Sequence, residues 1–421
     1  MKSICKPLCF VCEASSFPCC NGLAMELTLT FGRLDEAHIG PPRRRRDNPG
    51  ARRNEALMAF ELPDSWVWDF WVADDGEQYH LFFLYASRAL RDPELRHHRA
   101  SIGHAVSADL RSWRRVADAL VRSDPPAFDD LATWTGSVIR HPDGRWLMFY
   151  TGSSLNTDGV NVQTIGCASS VDLMTWTKFP EPVLRADSRW YEVYAQDGNW
   201  HDEAFRDPWV FADPAGNGWH MLITARSAHG PTSAPQDTID RGVVGHAWSA
   251  DLEHWELREP LSAPGSGFGQ LEVPHVAEVD GRQVLIFNCL TQDMSPARRA
   301  GTPGGIWAVP IDSATGPYDV ARAHLVADPQ LYVGKVIANR ATGCSEFLAF
   351  RHVEDGEFVG ALADPQRVGW RGDRLVIGES APAAIEPPNE APHDPRSRSS
   401  GNPQAPDPGA SRQRRASSPP G

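Results

Sequence analysis

Three carboxylates stand nearly alone in apolar surroundings. Asp69 lies in Ser65-Trp66-Val67-Trp68-Asp69-Phe70-Trp71 and is the only charge between Asp64 and Asp74. Asp207 closes Asp202-Glu203-Ala204-Phe205-Arg206-Asp207 and is followed by Pro208. Glu272 sits in Gly269-Gln270-Leu271-Glu272-Val273-Pro274-His275. An unpaired buried charge is costly, so each acid is either an ion-pair partner in a core strand or a working group. Carboxylates brought close together can divide the roles of nucleophile and general acid/base. The rings around Asp69 add faces on which the apolar side of a sugar can rest. The bland alternative is a Trp-rich core strand with Asp69 paired to an arginine. Three isolated acids, each opening a strand unit, argue against it.

The elements that carry these acids are strands. Gln78–Tyr85 follows the turn Asp75-Gly76, and Arg145–Tyr150 follows Asp143-Gly144. Trp219–Thr224 follows Gly216-Asn217-Gly218, and Arg282–Phe287 follows Asp280-Gly281. Each is a turn signal and then a short apolar run. A second repeat interleaves with the first. Ser107-Ala-Asp109-Leu-Arg-Ser-Trp113 resembles Ser170-Val-Asp172-Leu-Met-Thr-Trp176 and Ser249-Ala-Asp251-Leu-Glu-His-Trp255. Asp109, Asp172 and Asp251 are expected to bond turn amides. Self-similarity on this scale, without helical periodicity, predicts an all-β chain folded as a five-bladed β-propeller. Its blades are expected near 66–86, 134–152, 206–226 and 271–290, with a last one across 306–379 that includes Gly305–Val309. In a propeller the first strand of each blade lines the central channel, so the three acids are expected at equivalent places around one funnel. Arg206 is expected on the opposite face from Asp207 unless the backbone bulges.

Composition bounds the rest. The 421 residues carry a net charge of -13 with 41% hydrophobic and 23% charged content, as in a globular protein. That balance argues against nucleic-acid or anionic-membrane partners. No run of 18 apolar residues is present, so no membrane association is expected. Residues 1–57 are expected to be a disordered or mis-assigned extension, with Met58 as an alternative start. Residues 58–379 are the expected propeller, and 380–421, rich in Pro, Ser and Arg, an expected disordered tail. Five of the eight cysteines fall within the first 20 residues. The scattered Cys167, Cys289 and Cys344 make no disulfide framework, and with a poor leader pattern this suggests a cytoplasmic protein. No phosphate loop or metal cluster is evident, so no cofactor and no metal are expected. The oligomeric state is not readable.

Val67-Trp68-Asp69-Phe70-Trp71, Trp134-Thr135-Gly136-Ser137, Phe205-Arg206-Asp207-Pro208 and Glu272-Val273-Pro274 together resemble glycoside hydrolase families 32 and 68. These are five-bladed propellers acting on β-fructofuranosides. The resemblance spans roughly 64–290, and its first motif is closer to the Val-Trp-Asp form of family 68 than to the Asn-Asp-Pro-Asn-Gly form of family 32. The stretch after the propeller is too short for the C-terminal β-sandwich of family 32. The resemblance implies a retaining glycosidase with Asp69 as nucleophile, Glu272 as general acid/base and Asp207 as stabiliser of sugar hydroxyls. It also implies substrate contacts from Arg206 and from the Trp134–Ser137 stretch, Ser137 included. Trp68, Trp71 and Trp134 are candidates for the sugar pocket, with His275 and Gln163 as weaker ones. Repulsion from the two aspartates, together with its apolar neighbours, is expected to keep Glu272 protonated. The partner implied is a small carbohydrate. Two other readings stand beside this one: an inverting propeller glycosidase of the arabinanase or xylosidase type, and a non-catalytic sugar-binding propeller.

Overall fold

Asp-Gly and Gly-Asn-Gly turns fold consecutive apolar runs back on themselves, so neighbours in sequence become neighbours in a sheet. In the computed structural model this happens five times. The structure describes residues 60–194, 199–231 and 237–378. The expected extension (1–57) lies outside the described residues, and so does the expected tail (380–421).

Blade one holds β1 (Ser65–Asp74), β2 (Tyr79–Ser87), β3 (Ser101–Ser107) and β4 (Arg114–Arg115). Blade two holds β5 (Ala132–Arg140), β6 (Trp146–Leu155), β7 (Asn161–Ser170) and β8 (Thr177–Lys178). Blade three holds β9 (Phe205–Ala212), β10 (Trp219–Arg226), β11 (Gly242–Ser249) and β12 (Trp255–Arg258). Blade four holds β13 (Glu272–Val279), β14 (Arg282–Cys289), β15 (Gly305–Pro310) and β16 (His324–Ala327). Blade five holds β17 (Leu331–Ala338), β18 (Ser345–Glu354), β19 (Glu357–Leu362), β20 (Gln366–Arg371) and β21 (Arg374–Ile377). Strands pair antiparallel in sequence order, and in blade five β19 and β20 share the edge of β18.

The first strands form a ring, β1 against β5, then β9, β13, β17 and back to β1. The blades pack face to face, so the second strands are buried on both sides and read as continuous apolar runs. Leu81, Phe82 and Phe83 on β2 and Leu285, Ile286 and Phe287 on β14 are all inaccessible to solvent. Gly305–Val309, expected in the last blade, is the third strand of blade four, where it pairs with β14. The first strand of blade five is instead Leu331–Ala338. The ring closes where the backbone N–H of Leu362 donates to the carbonyl of Phe60 at 2.9 Å. The Arg88 guanidinium also donates to the Val359 carbonyl at 3.0 Å.

The Ser-x-Asp-Leu-x-x-Trp repeat is a turn between the third and fourth strands, as expected. Asp109 accepts from the amides of Arg111 and Ser112 at 2.9 and 2.7 Å. Asp172 and Asp251 make the same two bonds to Met174 and Thr175 and to Glu253 and His254. The leucine between adopts positive φ in all three, 63°, 60° and 66°. The tryptophan indole donates back to that leucine's carbonyl at 3.1–3.2 Å.

Blades one and three share a second device. His80 and His104 stack with Nδ1 and Nε2 3.0 Å apart, and His80 Nε2 lies 3.1 Å from Asp75. His220, His246 and Asp213 repeat this at 2.9 and 3.3 Å.

Candidate active site

Each first strand carries a β-bulge at the same height. The register breaks between Val67 and Phe70, Trp134 and Gly136, Arg206 and Trp209, Glu272 and His275, and Tyr332 and Lys335. A bulge bends its strand and re-aims side chains. Asp207, Val273 and Val333 take positive φ (59°, 50° and 50°) in doing so, a conformation non-glycine residues rarely adopt. The consequence is one cavity of about 930 Å³ at this end of the ring. Asp69 from β1, Asp207 from β9 and Glu272 from β13 all line it.

The acids are not at equivalent positions, as the sequence suggested. Asp69 is the second bulged residue of its strand, Asp207 is the first, and Glu272 precedes its bulge. The bulge also overrides strict alternation at Arg206 and Asp207. Both side chains reach the cavity, with Nε of Arg206 3.4 Å from Oδ2 of Asp207.

Buried threonines brace the two aspartates. Thr135 Oγ1 donates to Asp69 Oδ2 at 2.5 Å. Thr151 Oγ1 accepts the Asp207 amide at 2.9 Å and donates to the Thr135 carbonyl at 2.9 Å. Thr224 Oγ1 donates to Asp207 Oδ2 at 2.7 Å, and the Val273 amide reaches the same oxygen at 3.2 Å. Glu272 has a donor on each oxygen, Arg206 on Oε1 at 2.6 Å and the Tyr332 hydroxyl on Oε2. The Asn288 amide fixes its backbone carbonyl at 3.0 Å. The sequence expectation for Glu272 weighed the acids and apolar residues around it and left out the guanidinium against it.

Burial, then repulsion from Asp207, pushes the Asp69 pKa up to about 7, against the pull of the Thr135 hydrogen bond. Burial raises Asp207 too, with Arg206 pulling the other way. Burial works against the charge of Arg206, but Asp207, Glu272 and Asp202 outweigh it and hold its pKa up. Gln163 accepts from Arg206 at 3.2 Å and donates to Asp202 at 2.6 Å, while Gln270 accepts from the same guanidinium. Asp293, on the cavity wall, is raised to about 7, by burial first and Glu272 second.

Trp68, Trp134 and Arg206 line the cavity as expected. The Trp134 indole donates to the His97 carbonyl at 2.7 Å. Trp71 and Ser137 do not line it. Each sits two residues beyond the cavity-lining bulge residue of its strand, about 7 Å further along. Trp71 is 1% exposed and stacks on Phe82 in the core. Ser137 is buried, and its hydroxyl accepts the Val210 amide at 3.1 Å, tying β5 to β9. His275 is also off the cavity. It is 1% exposed and meets Trp209 edge-on. The sequence reading missed Tyr332, Thr151 and Thr224. Tyr332 stands just before its bulge, as Glu272 does.

Comparison with known families bears on this site. The family described as "Glycosyl hydrolases family 32 N-terminal domain" matches residues 71–303, a little over half of the chain. The chain belongs to glycosyl hydrolase family 32. The match includes Asp207 and Glu272 and begins two residues after Asp69. An insoluble β-fructofuranosidase isoenzyme of Arabidopsis thaliana is 29% identical over 198 residues, 47% of this chain and 32% of the relative. An acid β-fructofuranosidase of Vicia faba is 38% identical over 142 residues, 33% of this chain and 20% of the relative. This family 32 chain therefore spans about a third or less of the length of those curated relatives. Among solved structures, an inulosucrase from Halalkalicoccus jeotgali bound to kestose superposes with a TM-score of 0.63 at 24% identity, covering 76% of this chain and 90% of that one. Bacillus subtilis levansucrase gives 0.60 at 15%, covering 76% and 87%. Both likenesses establish the propeller fold.

Proposed function

We propose that the protein is a retaining glycoside hydrolase that cleaves β-fructofuranosidic bonds, such as those of sucrose or fructo-oligosaccharides. The observation that carries this reading is the convergence of Asp69, Asp207 and Glu272 on one cavity. Its volume suits a small sugar, and Trp68 and Trp134 offer ring faces on its wall. The fructoside-processing relatives, matched over part of their length, support the substrate class.

The chemistry follows from the placements. Ionised Asp69 attacks the anomeric carbon, the glycosidic C–O bond breaks, and Glu272 gives its proton to the leaving oxygen. Glu272 is then a carboxylate with Arg206 and Tyr332 donating to its two oxygens, which stabilises that charge. In the second half, Glu272 takes a proton from water, the water oxygen bonds the anomeric carbon, and Asp69 leaves as a carboxylate. Asp207, fixed by Thr224 and the Val273 amide, accepts hydrogen bonds from fructosyl hydroxyls. A cytoplasmic location belongs to the same proposal, supported by Cys167, Cys289 and Cys344 all being free thiols.

The test is sugar release from sucrose, raffinose, inulin, levan and an aryl arabinofuranoside, with Asp69→Asn as control and the first-formed anomer read by NMR. Fructose released with retention, and lost in Asp69→Asn, is the expected result. Arabinose released with inversion would replace this reading with the arabinanase type. Sugar binding without turnover on any substrate would make the chain a binding propeller.

A further inference from the structure

One imidazole on the cavity wall has no part in the chemistry proposed above. His352 lies on β18, one strand outward from the ring of first strands, and lines the cavity. The neighbouring β17 runs down from the mouth: Pro329 and Tyr332 line the cavity, and the residues after the bulge lie below it. Tyr332 pairs with Phe350, and the His352 amide donates to the Gln330 carbonyl at 2.8 Å, just before β17 begins. His352 therefore stands above Tyr332, toward the mouth.

The ring is fixed before any ligand arrives. It lies against Tyr332 with ring centres 5.1 Å apart and a 31° tilt. Phe350 and Phe358 meet it edge-on, each at 5.7 Å. Its Nδ1 is 3.1 Å from the Pro329 carbonyl. A carbonyl only accepts, so Nδ1 carries the proton in this contact. Burial lowers the pKa of the imidazole, and Arg96 adds to the fall, against the Pro329 bond, Glu272 and Glu94. The ring is thus neutral at pH 7 and its Nε2 is a bare lone pair. Among the described residues nothing bonds Nε2, and it is not one of the sealed, unpartnered atoms, as both ring nitrogens of His275 are. A rigid, neutral acceptor opens on the cavity.

We propose that His352 is a specificity-determining residue whose Nε2 accepts a hydroxyl of the sugar that leaves. This rests on the glycosidase reading above. The fructosyl unit must reach Asp69 and Asp207, which come from the first strands, so the leaving sugar lies toward the mouth, where His352 stands. Tyr332 links the two events, because its ring packs on His352 and its hydroxyl donates to Glu272. A leaving sugar held by His352 therefore keeps its glycosidic oxygen within reach of the acid. A locked ring loses little freedom on binding. A leaving group without hydroxyls would strand the lone pair.

The experiment measures sucrose and fructose binding by calorimetry to the Asp69→Asn chain, with His352 kept or changed to Phe or Gln. His352→Phe keeps a ring among Tyr332, Phe350 and Phe358 but removes the acceptor. It should weaken sucrose roughly tenfold and leave fructose unchanged. His352→Gln supplies an amide oxygen and should recover most of the loss. In the active chain, His352→Phe should raise KM for sucrose by a similar factor and leave kcat/KM for an aryl fructofuranoside unchanged. Unaltered sucrose binding in His352→Phe, or equal loss for sucrose and fructose, would overturn the proposal. Where His352→Phe does not fold, His352→Met makes the same comparison. The outcomes separate the two readings. Sucrose binding that depends on His352, without cleavage of any fructoside, sinks the hydrolase and keeps this assignment. Fructoside cleavage with sucrose binding indifferent to His352 does the reverse.

Discussion

Asp69 is a charge held where charge is unfavourable, and that has two consequences at its own scale. Its folded pKa of about 7 lies above the ordinary value of 3.8. The folded state therefore holds the proton more tightly than the unfolded chain does. The stability linked to that proton is complete below pH 3.8 and is lost as pH rises to 7. Asp69→Asn should abolish turnover yet raise stability by roughly 2–4 kcal/mol at pH 8, with no gain at pH 4. Paired thermal melts at the two pH values check this. The same titration should give kcat/KM an acid limb near pH 7, falling tenfold per pH unit below it. Tyr332→Phe removes the donor on Glu272 Oε2 and little else. It should lower kcat by about 10–100-fold with the fold intact, measured by fructose release beside circular dichroism.

The bulge is the element on which the site depends. Gly334 belongs to the bulge of β17, and a Cβ there would sit 2.3 Å from the Phe347 ring. Gly334→Ala should overpack the blade by about 1–3 kcal/mol. Gly144, at φ 98° in an open turn with no atom within 4 Å of an added Cβ, should cost only the backbone strain introduced by Ala, about 1–2 kcal/mol. Urea melts of the two variants make the comparison. The bulges also explain what was legible. Asp69, Asp207 and Glu272 could be found because an isolated acid in an apolar run is conspicuous whatever the register. Trp71 and Ser137 were misplaced because alternation is broken beside them, and composition does not reveal where a bulge falls. Second strands announced themselves through the Asp-Gly turns before them. First strands follow long connections with no such turn; three were found through their acids and β5 through the Trp134–Ser137 stretch. Leu331–Ala338 has neither an isolated acid nor such a motif, so it went unseen, and Tyr332 with it. Thr224 sits within a recognised strand and Thr151 one residue past another, but a buried threonine carries no sign of the carboxylate it will serve.

Across the whole molecule, titrations of opposite sign act over the same pH range. His104 and His246 are held at about 3 by burial and by their partner histidines, below the usual 6.5. They take stability away as pH falls from 6.5 to 3. Asp69 and Asp293, both raised to about 7, return it as pH falls from 7 to 3.8. Each shift is worth roughly 4 kcal/mol when fully developed. Between pH 7 and 4 the aspartates therefore soften the loss that the buried histidines, His97 and His275 among them, bring. Below pH 4 the aspartates have nothing left to give. There the histidines still charge, and Asp109, Asp172 and Asp251, whose pKa values are lowered by turn hydrogen bonds, lose those bonds. Stability should then fall steeply. A pH series of calorimetric scans decides it, and a decline no steeper below pH 4 than above it would contradict this reading.

The closure between blade five and blade one has a mechanical meaning. A ring fastened by the Phe60–Leu362 backbone bridge and the Arg88–Val359 contact has a clasp. Beside that clasp the Arg96 guanidinium lies between the rings of Phe358 and Trp68, 4.0 and 5.6 Å from their centres. Trp68 is wall to the cavity and neighbour to Asp69. Tension applied across the clasp therefore reaches Asp69 before it reaches the sheets of the other blades. Under gentle force or mild denaturant the hoop should spring at this joint, going slack as a tool while most of its strands are still in place.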